Sequence, residues 1–435
     1  MNKRDSSGKQ TTGLLIALIC AVGVWLFLQR VMIPYQIADA AAHDRPRGNL
    51  SDLYPRWLGA RELLLHGRDP YSAEVTREIQ VGYYGRALDR SRPGDPHDQQ
   101  GFAYPVYVVF ALAPTVQLPY ELVQRWFFRF LVLLTAVSAL IWLRSLSWWE
   151  SLSARITVVI LALGNLAVMQ GLKLDQMSLL VAGLIAIAFL FLILDYQVAA
   201  GVVLALASMK PQLVILLLVW LVIWMLGDAR KRYRWVVSFL VAMAIQIAAA
   251  ERFLPHWIPR FWQAVKDYKN YTGAISVLEE WTGTLLGRTL EVMALCLLIS
   301  LCWKERRQPA TTSAFARTTS AVLAFTLVLI PSDSVYNQVL LIPALLVLCE
   351  DREPLWRGSM TSRLLLLTVV GLVAWPWITS IVLAALSFAL PQDWVEAYWT
   401  APFWTVLLIP VGVSALMLVN ARQRSLGESV EQSTS

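Results

Sequence analysis

Asp52 stands in the run Ser51-Asp52-Leu53-Tyr54-Pro55-Arg56-Trp57-Leu58-Gly59-Ala60, about twenty residues past the first apolar segment, in the longest polar stretch of an otherwise apolar chain. A carboxylate at a membrane face can take a proton from a hydroxyl, the work of a general base. The spacing around it predicts a short amphipathic helix over 51–66. Ser51 can cap its start, Pro55 fits its first turn, and Leu53, Trp57, Ala60 and Leu64 share one face. Local chemistry also allows a plainer role for Asp52, since Arg56 is four residues on and a carboxylate favours a helix start. Gly67-Arg68-Asp69-Pro70-Tyr71 then reads as a helix stop and a turn in which Asp69 bonds its own backbone.

Three further polar islands interrupt apolar sequence: 170–178, which carries Lys173, Asp175, Gln176 and Ser178; 208–212, with Lys210 before Pro211; and 331–338, with Tyr336 and Asn337. Polar groups at bilayer depth are expensive and usually face a cavity. Each island alone suits an ordinary loop, but four on one face point to a shared site. Among the scattered histidines, His256, near Arg260, is the one placed to neighbour a phosphate.

The elements that hold these residues must be membrane helices. Of 435 residues, 57% are hydrophobic and 15% charged, well below the roughly 25% charged of soluble domains. Apolar runs near 13–33, 121–144, 155–171, 177–194, 197–209, 212–227, 234–251, 285–303, 317–331, 338–350, 363–388 and 401–420 predict about twelve spans in one polytopic domain, 1–435. The first reads as an uncleaved span rather than a signal peptide. Lys and Arg gather in alternate loops, from Lys3, Arg4 and Lys9 through 230–234 and 304–307 to Arg422 and Arg424. That asymmetry predicts both termini in the cytoplasm and makes 34–103 and 252–284 the two large extracytoplasmic loops. The apolar run 104–116 is too short to span and is expected to be a re-entrant or interface-lying helix covered by its neighbours.

The net charge of +7 follows from these orientation signals and gives no reason to invoke nucleic acid. Cys20, Cys296, Cys302 and Cys349 lie in or beside apolar spans and read as small core residues, without disulfides. No His or Cys pair has metal-ligand spacing and no Gly-rich phosphate loop is present, so neither metal nor cofactor is expected. Many of the 19 Trp flank spans. Trp57, Trp126, Trp148, Trp149, Trp257, Trp262, Trp281, Trp394, Trp399 and Trp404 read as interface anchors, with Trp257, Trp262 and Trp281 the ones placed to stack on a sugar.

In order along the chain, several motifs resemble glycosyltransferase family 87, whose members include bacterial polyprenyl-phosphate-sugar-dependent alpha-mannosyltransferases. They are Asp52 with Tyr54 after the first span, Leu64-x-x-Gly67-x-Asp69-Pro70-Tyr71, and Phe102-Ala103-Tyr104-Pro105, similar to the family's aromatic-x-Tyr-Pro-Pro. Asp175-Gln176-Met177-Ser178-Leu179-Leu180 is similar to its Gly-Gln-x-Asn-x-Leu, and Lys210-Pro211-Gln212 to its Lys-Pro element. Val106 replaces the second Pro, Asp175 and Ser178 replace Gly and Asn, and Tyr336-Asn337 stands where many relatives carry His.

The resemblance implies a GT-C helical bundle in the plasma (inner) membrane with an extracytoplasmic site. It also implies transfer of a hexose, mannose above others, from a polyprenyl-phosphate donor to a lipid or glycan acceptor. Asp52 would be the base, with Asp69, Tyr71, Tyr104, Gln176, Lys210, Arg260, His256, Tyr336 and Asn337 binding substrate among the surrounding membrane lipids. The rival reading is a transporter or lipid flippase, which needs neither the roughly seventy-residue outer loop nor lacks, as this chain does, an internal repeat. A ligase moving a lipid-linked glycan is a third.

The charge asymmetry predicts that single cysteines at Arg90 and Tyr268, but not at Lys231 or Arg306, react with an impermeant maleimide applied to the outside of cells. Labelling of the Lys231 position would invert the topology.

Overall fold

The structure is a computed structural model. It describes residues 3–434 apart from 46–50, 90, 93, 147–150 and 332–333, so Arg90, Trp148, Trp149 and part of the 331–338 island lie outside the described residues. Helices and their connections make up the described chain, with no strand among the described residues.

α1 (Lys3–Phe27) passes through a π-helical turn, Leu28–Met32, into α2 (Ile33–Ala42). Pro34 explains the turn. Its ring displaces the carbonyl of Arg30 and offers it no N–H, and a π-bulge absorbs the mismatch. The orphaned Arg30 carbonyl accepts instead from Gln392 Nε2 at 2.6 Å. After α2 come α3 (Leu53–His66), α4 (Ala73–Tyr84) and the five-residue α5 (Val108–Leu112). Leu53, Trp57 and Ala60 are buried on the predicted face of α3, and Gly67 ends it at φ 66°, where a residue without Cβ is needed. The first part of the 104–116 run is buried, with Val106, Val108 and Val109 fully covered, while Ala111 and Pro114 are exposed.

The bundle proper follows: α6 (Tyr120–Ser145), α7 (Leu152–Leu163), α8 (Leu166–Lys173), α9 (Met177–Ile193), α10 (Gln197–Ala207), α11 (Pro211–Gly227) and α12 (Ala229–Phe253). α7 and α8 meet at 59°. There Asn165 caps α8 through Ala167 N–H at 2.8 Å, and Trp377 Nε1 donates to the Gly164 carbonyl at 2.9 Å. α13 (Trp257–Thr272) and α14 (Val277–Thr282) precede α15 (Thr284–Glu305) and α16 (Ser313–Leu329). A 3-10 turn, Val335–Leu341, leads into α17 (Ile342–Glu350), then α18 (Arg352–Arg357), α19 (Met360–Leu386), α20 (Gln392–Glu396) and α21 (Leu408–Thr434). Pro376 inside α19 orphans the Leu372 carbonyl, which Thr405 Oγ1 satisfies at 3.0 Å. Buried Arg232 closes another helix junction, donating to the carbonyls of Trp224, Arg306, Arg307 and Gln308.

All twelve predicted apolar runs contain helix, but their lengths differ. Among the described residues six helical stretches are long and apolar enough to cross a membrane: Gln10–Ala42, α6, α12, α15, α19 and Gln392–Arg424. The bent α7–α8 pair makes a seventh if counted as one span. α9, α10, α11, α16 and the stretch Val335–Glu350 are shorter, at 10–17 residues. Helix length therefore supports six or seven crossings, where the sequence suggested about twelve. Much of the core lies among these shorter helices. A single cluster runs from Leu53 and Trp57 through Leu131, Val181, Leu213 and Trp220 to Phe315 and Val347.

Two groups of expectations need correction. Trp57 and Trp257 are buried at 4% exposure and belong to the core. Their indoles pack against other aromatic rings, and Trp57 Nε1 donates to the Thr115 carbonyl at 3.2 Å. Trp126, Trp262, Trp281, Trp394 and Trp404 are exposed, as anchors must be. Of the cysteines only Cys302 is buried; Cys296 and Cys349 are exposed on helix surfaces rather than packed inside.

Gly59 lets α3 approach the residues that lead to Tyr104. A Cβ there would lie 2.4 Å from the Phe102 ring. In an open helix Gly→Ala gains roughly 0.5–1 kcal/mol, whereas overpacking costs about 1–3 kcal/mol. Gly59→Ala is therefore expected to lower the melting temperature of the purified protein. A higher one would mean that Phe102 yields freely.

Candidate active site

The site begins where Ser51 and Asp52 dock on the α8–α9 connection. Asp52 N–H donates to the Leu174 carbonyl at 2.8 Å. Ser51 Oγ and Gln124 Nε2 both donate to one oxygen of Asp175, at 2.7 and 3.0 Å. Asp175 itself sits in the left-handed region at φ 50°. Glycine suits that conformation best, and Asp is among the few other residues that tolerate it. This accounts for Asp at a position where the resembling motif has Gly. The tight turn aims Gln176 at Asp52: its amide Nε2 donates to Asp52 Oδ2. From the opposite side the Tyr83 hydroxyl of α4 donates to Asp52 Oδ1 at 3.0 Å.

Neither plainer role for Asp52 is realised. Its side chain accepts no capping bond, and Leu53 N–H turns instead to Ser51 Oγ at 3.3 Å. Arg56 bonds the Asp52 carbonyl, not its carboxylate, at 2.9 Å, and its guanidinium lies 4.7 Å from the Tyr104 ring centroid. Arg56 Nε is buried and has no hydrogen-bond partner among the described residues.

A second group of residues adjoins the first. Lys210 is 7% exposed and precedes Pro211 at the start of α11. Its ammonium donates to Ser178 Oγ at 2.6 Å and Asn337 Oδ1 at 3.4 Å, and stands 5.0 Å from the centre of the Tyr336 ring. Ser178 Oγ in turn donates to Asn337 at 2.7 Å. The charges of Arg56, Lys210 and Lys173 all act on Asp52. All four polar islands of the sequence thus converge, bringing together Asp52, Tyr104, Gln176, Lys210, Tyr336 and Asn337.

The remaining candidates form an outer layer. Arg260 of α13 pairs with Asp69 Oδ2 at 2.7 Å, while Asp69 Oδ1 accepts the Tyr71 N–H at 2.9 Å, as the turn chemistry predicted. The Tyr71 hydroxyl then donates to the Tyr104 carbonyl at 2.6 Å. These residues hold Tyr104 in place, and with its guanidinium engaged by Asp69, Arg260 does not join the inner cations. His256 is exposed at the head of α13 with φ 58°, its N–H on Glu251. Among the described residues no three His, Cys, Asp or Glu side chains gather as metal ligands would.

Sequence reading missed Tyr83 and misjudged Arg56. Tyr83 reaches Asp52 across 31 residues, a distance at which no local pattern speaks. Burial pushes the Asp52 carboxyl above the usual carboxylate range; Arg56, the Tyr83 hydroxyl, Lys210 and Lys173 oppose the rise without cancelling it. A base of raised pKa is stronger when ionised and less often ionised at low pH. The rate is therefore expected to climb with pH through a midpoint above the ordinary carboxylate value. Tyr83→Phe removes a bond that favours the anion, so its midpoint should move higher still, by about one pH unit. A pH–rate profile that keeps its midpoint in Tyr83→Phe would uncouple Tyr83 from the base.

Comparison with known proteins complements this geometry. No curated protein and no solved structure matches the chain. The model of glycosyltransferase family 87 matches residues 102–331, just over half of the chain, which takes in Tyr104, Gln176, Lys210 and Arg260. The transporter reading has no such support. The chain belongs to glycosyltransferase family 87 and is a membrane glycosyltransferase.

Proposed function

We propose that this transferase moves a hexose, mannose above others, from a polyprenyl-phosphate donor to a hydroxyl of a lipid or glycan acceptor, on the extracytoplasmic face of the plasma (inner) membrane. The bundle is read as GT-C-like, with about twelve membrane segments, the shorter helices among them. The observation that carries the reading is a pair of buried basic groups, Arg56 and Lys210, beside Asp52 in a water-poor site, where burial lowers the Lys210 pKa so that a nearby anion is needed to hold its ammonium form. Buried charge left unpaired is costly, so such a site favours an anionic ligand. A lipid phosphate supplies the missing negative charge.

The chemistry follows from these positions. The acceptor hydroxyl gives its proton to Asp52 as its oxygen bonds the anomeric carbon. The bond from that carbon to the phosphate oxygen breaks, and the electron pair leaves with polyprenyl phosphate. Lys210 and Arg56 stabilise the charge that grows on the leaving group. Gln176 and Tyr83 orient the base, each donating to one of its oxygens. Ser178 and Asn337 fix the Lys210 ammonium so that little reorganisation accompanies the reaction.

Two variants test the reading on labelled polyprenyl-phosphate-mannose with a membrane-lipid extract. Asp52→Asn keeps the shape but removes the base and should lower turnover about 10²–10⁴-fold. Lys210→Ala should weaken use of the donor far more than it lowers the melting temperature. Full turnover in Asp52→Asn, with the protein folded, would sink the mechanism. Full turnover in Lys210→Ala would remove that lysine from the donor site.

A further inference from the structure

Behind Tyr83 lies a cavity of about 320 Å³, walled by α2, the end of α4, residues 98–100 and the end of α8. The volume is at the small end of ligand clefts, enough for a sugar ring and not for a lipid chain. Tyr83 lines it while donating its hydroxyl to Asp52, so one side chain separates the cavity from the base.

The cavity is polar but balanced in charge. Arg45 pairs with Asp39 at 2.8 Å, and the Lys173 ammonium donates to Gln36. Both oxygens of Asp98 accept from Gln100, its backbone N–H at 2.9 Å and its side-chain amide at 3.0 Å. Two cations therefore face two carboxylates, in contrast to the net positive group around Lys210. Gln170 Oε1 is buried in this wall and has no hydrogen-bond partner among the described residues. A buried carbonyl oxygen without a donor calls for one from a ligand.

Resting on the transferase reading above, we infer that this cavity is the acceptor subsite and takes an uncharged, polyhydroxylated sugar ring. One ring hydroxyl donates to Gln170, and the nucleophilic hydroxyl passes Tyr83 to reach Asp52. The base then lies between two differently charged compartments: a cationic one that holds the donor phosphate and a neutral one that holds the acceptor. An acceptor bearing its own phosphate near the reacting ring is disfavoured, because the cavity has no excess positive charge to meet it.

The test measures binding without turnover. A single cysteine replaces Ala40 on the cavity wall, in full-length protein with the four native cysteines changed to Ser or Ala and reconstituted in lipid nanodiscs. Methyl α-D-mannopyranoside should slow its alkylation by a maleimide, and glycerol 1-phosphate should protect less well. Gln170→Leu should raise the half-protecting glycoside concentration about tenfold, as loss of one buried hydrogen bond does, while undecaprenyl phosphate binding stays unchanged. Ala40→Phe, which fills the cavity without touching Gln170, should abolish transfer while leaving undecaprenyl phosphate binding intact. No protection by the glycoside, better protection by glycerol 1-phosphate, an unchanged concentration in Gln170→Leu, or full transfer in Ala40→Phe overturns the inference. An inactive Asp52→Asn with no protection removes the acceptor assignment alone. An active Asp52→Asn removes the transferase mechanism, whatever the protection shows.

Discussion

An ammonium or a guanidinium taken out of water loses solvation worth several kcal/mol, and only close, well-formed contacts recover it. Lys210 and Arg56 both carry this cost, and the surrounding fold is arranged to reduce it. Ser178, Asn337 and the Tyr336 ring meet Lys210, and the Asp52 carbonyl and the Tyr104 ring meet Arg56. These partners come from the connections before α3 and before α5, the first turn of α9 and the 3-10 turn before α17, so the cations can be solvated only when those segments meet at one end of the bundle. The same cations moderate the cost of ionising Asp52. Remove the convergence and no single helix could hold any one of these charges.

The bundle serves the same requirement in a different way. The shorter helices α9 and α11 start inside the protein, where Gln176, Ser178 and Lys210 are buried at their first residues. Where a proline breaks the ladder in a long helix, a side chain from a distant segment takes the freed carbonyl, as Gln392 and Thr405 do. The carbonyls that Pro34 and Pro376 leave open are thus both satisfied within the protein.

Much of this was legible in the sequence because it depends on composition and on residues with fixed habits. The apolar runs marked helices, and Pro55, Gly67 and Asp69 punctuated the first loop where turn chemistry says they must. The polar islands betrayed the site because polar residues in apolar sequence are costly without a purpose. What sequence could not supply was distance. Arg56 sits four residues from Asp52, and that spacing suggested a surface ion pair; tertiary packing turned its guanidinium onto Tyr104 instead. Tyr83 lies in α4, whose packing brings its hydroxyl to Asp52, and no neighbour in the chain predicts that contact. Hydropathy marks about twelve apolar segments and helix length six or seven crossings, because hydropathy registers an apolar helix whether it faces lipid or lies buried against other helices.

The left-handed turn at Asp175 has a mechanical consequence. Its carboxylate grips Ser51 and Gln124, and the Leu174 carbonyl beside it takes the Asp52 N–H. The base and the amide that orients it are therefore stitched together by bonds within a few residues of both. Their separation does not depend on how far apart the long helices stand. A bilayer that thickens, thins or shears tilts those helices, and the clamp rides along as one piece. The alignment of Asp52 with Gln176 is thus set by one turn and its connections, not by the spacing of the helices that face the membrane.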